Sequence, residues 1–261
     1  MIGVVGGAVC AAIVASLAYR ARALTAGGAA AAFAVGTIVF GAGGWRAALV
    51  LFAFFIPSTL LSRLGRTRKR ELTDIGKLGP RDARQVLANG GVAALCTLLA
   101  LRGGATFTAA FAGAFAAASA DTWGTEIGTL SRAVPRSIVT LRPVAAGLSG
   151  GITLVGTLAT LAGAGCVALV GALAGVGAFW PVAAGGVAGA FVDSFLGASL
   201  QALRWCPGCA RECETNPHRC GTSTVLRRGL GWLENDAINL AATLGGALVA
   251  GSLAAWIARA S

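Results

Sequence analysis

Charged residues are scarce in this sequence. Of its 261 residues, 12% are Asp, Glu, Lys or Arg and 56% are hydrophobic. A soluble domain has roughly 25% charged residues, so a water-soluble fold of this chain would place nearly every segment in the core. A helical protein surrounded by lipid needs only apolar runs of about 20 residues each. The scarcity of charge therefore excludes an ordinary soluble domain and favours an integral membrane protein.

Acidic residues and histidine are also few. Ten acids stand against 21 Lys and Arg, which gives a net charge of +11, and there is one histidine. The basic segments have almost no aromatic side chains on which bases could stack, and this argues against a nucleic-acid partner. We interpret the positive charge as a determinant of topology and as an attraction to anionic membrane lipids.

Apolar sequence, by contrast, is plentiful and falls into eight runs. These runs predict an all-α, polytopic transmembrane helical bundle of about eight spans, in a single membrane domain that covers residues 1–261. The predicted spans are residues 2–19, 26–42, 45–62, 86–101, 105–122, 149–172, 178–202 and 236–258. A basic loop at 63–85 and a cysteine-rich loop at 203–235 separate some of them. Arg20 and Arg22 follow the first run instead of preceding it, so we predict a retained span rather than a cleavable signal peptide.

The distribution of charge predicts the orientation of these spans. All Lys and Arg except Arg46, Arg102 and Arg259 fall in the loops that follow odd-numbered spans. All ten acids lie in the same loops or at span ends that could reach them. By the positive-inside rule this side is cytoplasmic, both termini lie outside, and the protein belongs in the cell (inner) membrane. Any site built from these polar residues would then face the cytoplasm.

Carboxylates inside or beside membrane spans are costly, so each one suggests a function. The candidates are Asp121 and Glu126 at the end of the fifth span, Asp193 within the seventh, and Asp236 at the start of the eighth, with Asn235 and Asn239 beside it. Acids that converge near one membrane depth repel each other unless a cation neutralises them, and carboxylate oxygens suit Mg²⁺. The structural alternative is helix capping by Asn235 or Asp236 and interhelical hydrogen bonding by Asp193.

A segment rich in glycine and serine lies at the start of the sixth predicted span. It contains Gly147, Ser149, Gly150, Gly151 and Thr153. Glycines let backbone N–H groups approach a ligand, and the N-terminus of a helix favours anions, so the segment predicts a phosphate-binding site. Glycines spaced four apart, such as Gly147 with Gly151 or Gly185 with Gly189, are also typical of close packing between membrane helices.

Two further polar residues lie at the start of the fourth span. Arg84 could bind a phosphate, and Asn89 could orient a ligand oxygen. The alternatives are an arginine that snorkels to the membrane surface and an amide that packs between helices.

Cysteines are clustered in one loop. Cys10, Cys96 and Cys166 lie singly in spans, and we expect them to act as small apolar residues. The other four are Cys206, Cys209, Cys213 and Cys220, and they surround His218, the single histidine. We predict a structural zinc site formed by Cys206, Cys209, Cys220 and either His218 or Cys213. A redox pair or unmetallated thiols are the alternatives. If His218 binds metal, no histidine remains to act as a general base.

Six motifs in order give a resemblance over nearly the whole chain. They are Arg84–Gly91, Ala120–Gly128, Gly147–Thr157, Asp193–Ala198, Gln201 and Asn235–Asn239. Together they resemble the family of integral membrane proteins once called domain of unknown function ninety-two, in a prokaryotic form. This family includes transmembrane protein nineteen and the plant phytyl-phosphate kinase.

The resemblance implies a membrane kinase. It would transfer a phosphoryl group from a nucleoside triphosphate, CTP or another, to an isoprenoid (phytyl or polyprenyl) monophosphate. We expect Asp121, Glu126, Asp193 and Asp236 to hold Mg²⁺, the glycine- and serine-rich segment to bind nucleotide phosphates, and Arg84, Asn89, Asn235 and Asn239 to position donor or acceptor. The acceptor phosphate is already an oxyanion, so no strong base is required. An isoprenoid alcohol kinase and a transporter of small molecules or lipids are the alternatives.

Overall fold

Helices form most of the protein. The computed structural model describes residues 3–64 and 79–260. Within these ranges the helices are α1 (Gly3–Arg20), α2 (Ala26–Leu61), α3 (Ala83–Gly103), α4 (Ala105–Gly128), α5 (Leu154–Leu173), α6 (Phe179–Ser199) and α7 (Asn235–Ala260). The predicted helical class is confirmed. The predicted basic loop at 63–85 lies partly outside the described residues.

Helix α2 turns back on itself at Gly44. This residue has φ 68° and ψ −167°, a left-handed conformation that glycine adopts readily. In one straight helix Phe40 and Phe52 would be about 18 Å apart, yet their ring centroids are 5.7 Å apart. The Arg63 guanidinium also donates a 2.7 Å hydrogen bond to the Ala21 carbonyl, near the start of α2. Residues 26–43 and 45–61 therefore run in opposite directions, which matches the second and third predicted spans.

Six of the helices in the described ranges are long and apolar enough to cross a membrane, and α4 is not among them. The reason is its position. Residues 109–120 of α4 are all buried, because α3, α5, α6 and α7 pack around it. Helix α4 has 24 residues, and at 1.5 Å per residue it is about 36 Å long. It faces protein instead of lipid, so its surface can be formed largely by small residues such as alanine and glycine, which are less hydrophobic than leucine or isoleucine. The count of eight spans and the outside location of the termini stay predictions.

Glycines bring three helices into close contact. A Cβ atom added at Gly246 of α7 would lie 2.7 Å from the Gly113 carbonyl oxygen of α4 and 3.1 Å from that of Gly185 in α6. Gly189 likewise faces the Ala242 carbonyl. The packing interpretation is therefore correct for Gly185 and Gly189.

The packing interpretation is wrong for Gly147 and Gly151. Gly147 has φ 91°, and Gly151 lies in a short strand, so the segment between α4 and α5 is not helical at this point. The predicted sixth span began at residue 149, but α5 begins at Leu154. Thr153 caps it, since its hydroxyl accepts a 3.0 Å hydrogen bond from the Gly156 N–H.

Two small antiparallel sheets organise the loops at one end of the bundle. Strands β1 (Arg136–Ser137) and β2 (Gly151–Ile152) pair between α4 and α5. Strands β3 (Leu203–Cys206), β4 (Arg211–Cys213) and β5 (Val225–Arg228) form a sheet in the order β4-β3-β5 between α6 and α7. The ends of α4 and α6 and the starts of α3, α5 and α7 lie at this end, together with the loops that carry most of the arginines.

We predict that Gly246→Ala lowers the thermal stability of the protein in detergent. The added methyl group would overlap backbone atoms of two neighbouring helices, and overpacking of this kind costs about 1–3 kcal/mol. The midpoint of thermal unfolding should fall by several degrees. Gly165→Ala in α5 is the control, because a Cβ there would meet nothing within 4 Å. Equal midpoints for the two variants would contradict the close contact.

Candidate functional site

One polar cavity lies among the helix ends described above. It has a volume of about 270 Å³. Its walls come from the start of α3, the end of α4, the loop before α5, the second half of α6, and the residue that begins α7. The predicted site residues on these walls are Asp121, Glu126, Gly147, Ser149, Gly150, Gly151, Thr153, Asp193 and Asn235. Residues far apart in sequence thus meet in one place.

Two carboxyl groups meet inside the cavity. Asp121 projects from α4 and Asp193 from α6, and their side chains are hydrogen-bonded to each other. The Thr125 side chain, one turn after Asp121, is also hydrogen-bonded to Asp121. The Oδ2 atom of Asp193 is buried and has no hydrogen-bond partner among the described residues. Two adjacent carboxyl groups with an unsatisfied buried oxygen are suited to a cation.

The glycine- and serine-rich segment forms another wall of the cavity. Gly147 and Gly150 have φ angles of 91° and 76°, so the chain curves tightly there. A Cβ atom at Gly150 would overlap the backbone of Ser194 and Ala198 in α6. The segment therefore lies directly against the helix that carries Asp193.

Glu214 accepts hydrogen bonds from Ser149 of this segment. Its carboxylate accepts hydrogen bonds from the Ser149 N–H at 2.8 Å and from the Ser149 hydroxyl at 2.9 Å. The Gln201 side-chain amide donates to both the Ser149 hydroxyl and the Glu214 carboxylate, each at 3.0 Å. Burial raises the pKa of Glu214, while the hydrogen bonds from Ser149 and the nearby charge of Arg228 oppose this rise. A carboxylate thus already occupies an anion-binding position.

Four of the predicted site residues do not line this cavity. Asp236 and Asn239 lie on α7 next to Asn235 but are not on the cavity walls. Arg84 is exposed on the surface of α3. Asn89 lines a separate apolar cavity, and its amide donates a 2.9 Å hydrogen bond to the Gln85 carbonyl in the preceding turn. Of the four predicted carboxylates, three therefore line the cavity, and Asp236 does not.

The cysteine loop contains a compact group of ligand atoms. Cys206, Cys209, His218 and Cys220 each offer one atom, and these four atoms lie within 4.8 Å of one another. They could hold one metal ion. The hydrogen bonds that Cys220 makes with Thr222 and His218 lower the pKa of this thiol to about 5, which favours the thiolate that binds metals. In the part of the chain that the structure describes, no other three or more side chains of this kind are so close.

Cys213 is not part of this group. It is fully buried at the end of β4, and its sulfur lies 3.8 Å from the Thr215 carbonyl oxygen. Of the two candidates for the fourth ligand, the structure therefore favours His218. Cys213 is adjacent in sequence to Glu214, whose carboxylate lies beside Ser149. Burial of Cys213 therefore helps to fix the position of Glu214.

The sequence matches the model of one family over residues 9–247, the family described as Integral membrane protein DUF92. The chain belongs to this family. Nearly all of the helices and both small sheets fall within the matched residues.

Several relatives are similar over most of their length. The chain is 31% identical to Protein PGR of Arabidopsis thaliana, over 89% of each chain. It is 31% identical to the membrane protein MJ0933 of Methanocaldococcus jannaschii, over 79% of this chain and 75% of that protein. It is 28% identical to Protein VTE6, chloroplastic, of Arabidopsis thaliana, over 87% of this chain and 64% of that protein. No solved structure matches.

Sequence analysis missed Glu214 as a member of the site. Nothing in its neighbourhood distinguishes it from Glu212, since both are acids of the cysteine-rich loop. Glu212 lies within β4, where it pairs with Trp205, whereas Glu214 lies one residue past the end of the strand and reaches Ser149. Gln201 had a signal, because it is one of the family motifs, but its role as the donor to Glu214 required the structure.

We predict that the purified protein binds one metal ion per chain in the cysteine loop. Cys220→Ala and His218→Ala should each remove most of the metal, because each deletes one of the four ligands. Cys213→Ala should retain it. Elemental analysis of protein purified without chelator measures the ratio of metal to protein. Loss of metal in Cys213→Ala together with retention in His218→Ala would contradict the assignment.

Proposed function

We propose that this protein is a magnesium-dependent kinase that phosphorylates an isoprenoid monophosphate. The observation that supports this most directly is the contact between Asp121 and Asp193 in the cavity that the glycine- and serine-rich segment also lines. The resemblance to the plant phytyl-phosphate kinase supplies the reaction. The end of the bundle that carries the arginines would face the cytoplasm of the cell, where nucleoside triphosphates such as CTP are available.

The reaction is a displacement at phosphorus. An oxygen of the acceptor monophosphate forms a bond to the γ-phosphorus of the nucleotide. The bond from that phosphorus to the β–γ bridging oxygen breaks, and the nucleoside diphosphate leaves with its electron pair. Because the acceptor oxygen is already negatively charged, no side chain has to remove a proton. This fits the cavity walls, which contain carboxylates and hydroxyls but no histidine.

Asp121 and Asp193 are the proposed magnesium ligands. Mg²⁺ is usually held by one or two carboxylates together with the phosphates of the substrate, so two adjacent aspartates are sufficient. When bound, the ion would neutralise the phosphates and the charge that develops during transfer. Glu126 lies on the same walls and could orient water bound there. Asp236 has no part in this proposal.

The glycine- and serine-rich segment is the proposed site for nucleotide phosphates. Its Ser149 N–H and hydroxyl now donate to Glu214. A phosphate oxygen that takes these donors would displace the carboxylate. We therefore infer that Glu214 and the nucleotide compete for one position. The Gln201 amide could donate a hydrogen bond to either of them.

The metal ion of the cysteine loop is proposed to be structural zinc. Three cysteine sulfurs and one histidine nitrogen are a typical tetrahedral set, which leaves no open position for chemistry. Its role would be to hold the β3–β4 hairpin, and with it Glu214, over the cavity. An isoprenoid alcohol kinase remains the nearest alternative, and the acceptors offered in the assay below distinguish it.

We predict that Asp121→Asn and Asp193→Asn each lower the rate of phosphoryl transfer by at least about 100-fold. The amide keeps the hydrogen bond between the two side chains, so the fold should persist, but it cannot neutralise a cation. The assay uses labelled nucleotide with prenyl phosphate or prenol, with and without Mg²⁺. Glu212→Gln, outside the cavity, is the control. Full activity in an aspartate variant would remove that residue from the mechanism.

We also predict that Glu214→Gln binds nucleotide several-fold more tightly than the unaltered protein. The change removes a negative charge that competes with phosphate for Ser149. Equilibrium binding of labelled nucleotide in the absence of acceptor measures the effect. Glu212→Gln should leave the dissociation constant unchanged. Weaker binding in Glu214→Gln would instead indicate that the carboxylate helps to hold the cation.

A further inference from the structure

A second, apolar cavity lies between α1, the two halves of α2, and α3. It has a volume of about 70 Å³. Apolar side chains form most of its walls, among them Ala11, Ala15, Ala32, Val35, Phe54 and Phe115. A cavity of this small volume suits one hydrocarbon chain better than a bulky ring system. Within the described residues, α1 packs mainly against α2.

This apolar cavity has one polar end. Arg81, Gln85 and Asn89 lie there, at the start of α3 and at the same end of the bundle as the carboxylates. The backbone of Arg81 is held firmly, because its N–H donates to the Ala23 carbonyl at 2.9 Å and its carbonyl accepts from the Thr25 N–H at 3.0 Å. The guanidinium carbon lies 5.9 Å from the centre of the Phe54 ring. A half-buried cation with a fixed backbone thus lies at the polar end of a mostly apolar cavity.

The polar end adjoins the site of the proposed reaction. Gln85 lines both cavities. The Arg81 charge also lies close enough to the Glu126 carboxylate, on the wall of the polar cavity, to interact with it. An anion bound at Arg81 would therefore lie beside the position proposed for the nucleotide phosphates.

We propose that this apolar cavity binds the hydrocarbon chain of a single-chain isoprenoid monophosphate, with its phosphate at Arg81. The inference rests on the proposed function, and it assigns the acceptor site of that reaction. A small apolar cavity with a cation at its polar end matches a ligand that has one chain and one anionic head. A two-chain phospholipid does not match, because a volume of about 70 Å³ leaves little room for a second chain. Arg81 also takes the phosphate-binding role that sequence analysis gave to Arg84.

The test measures equilibrium binding of labelled prenyl monophosphates to the full chain in nanodiscs, without nucleotide. The probes are monophosphates with one isoprene unit and with four. Ala15→Leu on α1 and Ala32→Leu on α2 both narrow the cavity from opposite walls. Ala12→Leu and Ala34→Leu are their controls, because they make the same change at exposed positions of the same helices.

Both cavity variants should bind the four-unit probe about tenfold or more weakly, while their affinity for the one-unit probe stays within about twofold. The controls should bind both probes like the unaltered protein. If Ala15→Leu and Ala32→Leu match their controls, the hydrocarbon chain lies elsewhere and the proposal is overturned. If both probes weaken equally in the cavity variants, the chain does not determine binding, which also overturns it.

A second comparison tests the head group. Arg81→Gln should bind prenyl monophosphate at least about tenfold more weakly and prenol unchanged, so that the preference for the phosphate is lost. Arg102→Gln, at the opposite end of α3, is the control. A retained preference in Arg81→Gln overturns the assignment. Because no transfer is measured, chain-dependent binding without any kinase activity would refute the proposed function and leave this site standing.

Discussion

The contact between Asp121 and Asp193 is the interaction on which the rest of the site depends. Two carboxyl groups on different helices of a membrane protein are held together, where their charges would repel each other unless a proton or a cation lies between them. The helices that carry them approach closely because alanine and glycine fill the interface. The close packing of α4, α6 and α7 thus has a chemical purpose as well as a structural one.

The helical elements could be predicted largely from the sequence, because lipid requires long apolar runs. Even the hairpin within α2 follows from two predicted runs on either side of Gly44. The carboxylates of the polar cavity were also predictable, since acidic residues are rare in membrane helices. Its glycines were predictable because they cluster with Ser149 and Thr153 before an apolar run. The start of α5 was not, because a glycine-rich segment beside an apolar run has no feature that marks where the helix begins.

The loops are where sequence analysis failed, and the reason is physical. The position of a loop residue depends on strand pairing and on turns, neither of which leaves a periodic pattern. Glu212 lies within β4 and Glu214 just past its end, yet only Glu214 reaches Ser149. Arg81 lies two residues before α3, whereas Arg84 lies in its first turn. In each pair, tertiary contacts determine which residue lines a cavity. An example is the pair of backbone hydrogen bonds that Arg81 makes with Ala23 and Thr25.

The polarity of α4 has a consequence for how this chain enters a membrane. A helix that carries Asp121 and Glu126 and in which alanine is the commonest residue gains little from contact with lipid alone. It becomes favourable only when neighbouring helices cover it. As the chain emerges from the ribosome, α4 would therefore have to wait beside α3 until α5 has been synthesised. Insertion of α4 into a membrane would then be favourable only together with the helices that cover it, so several helices of the bundle would enter the membrane jointly.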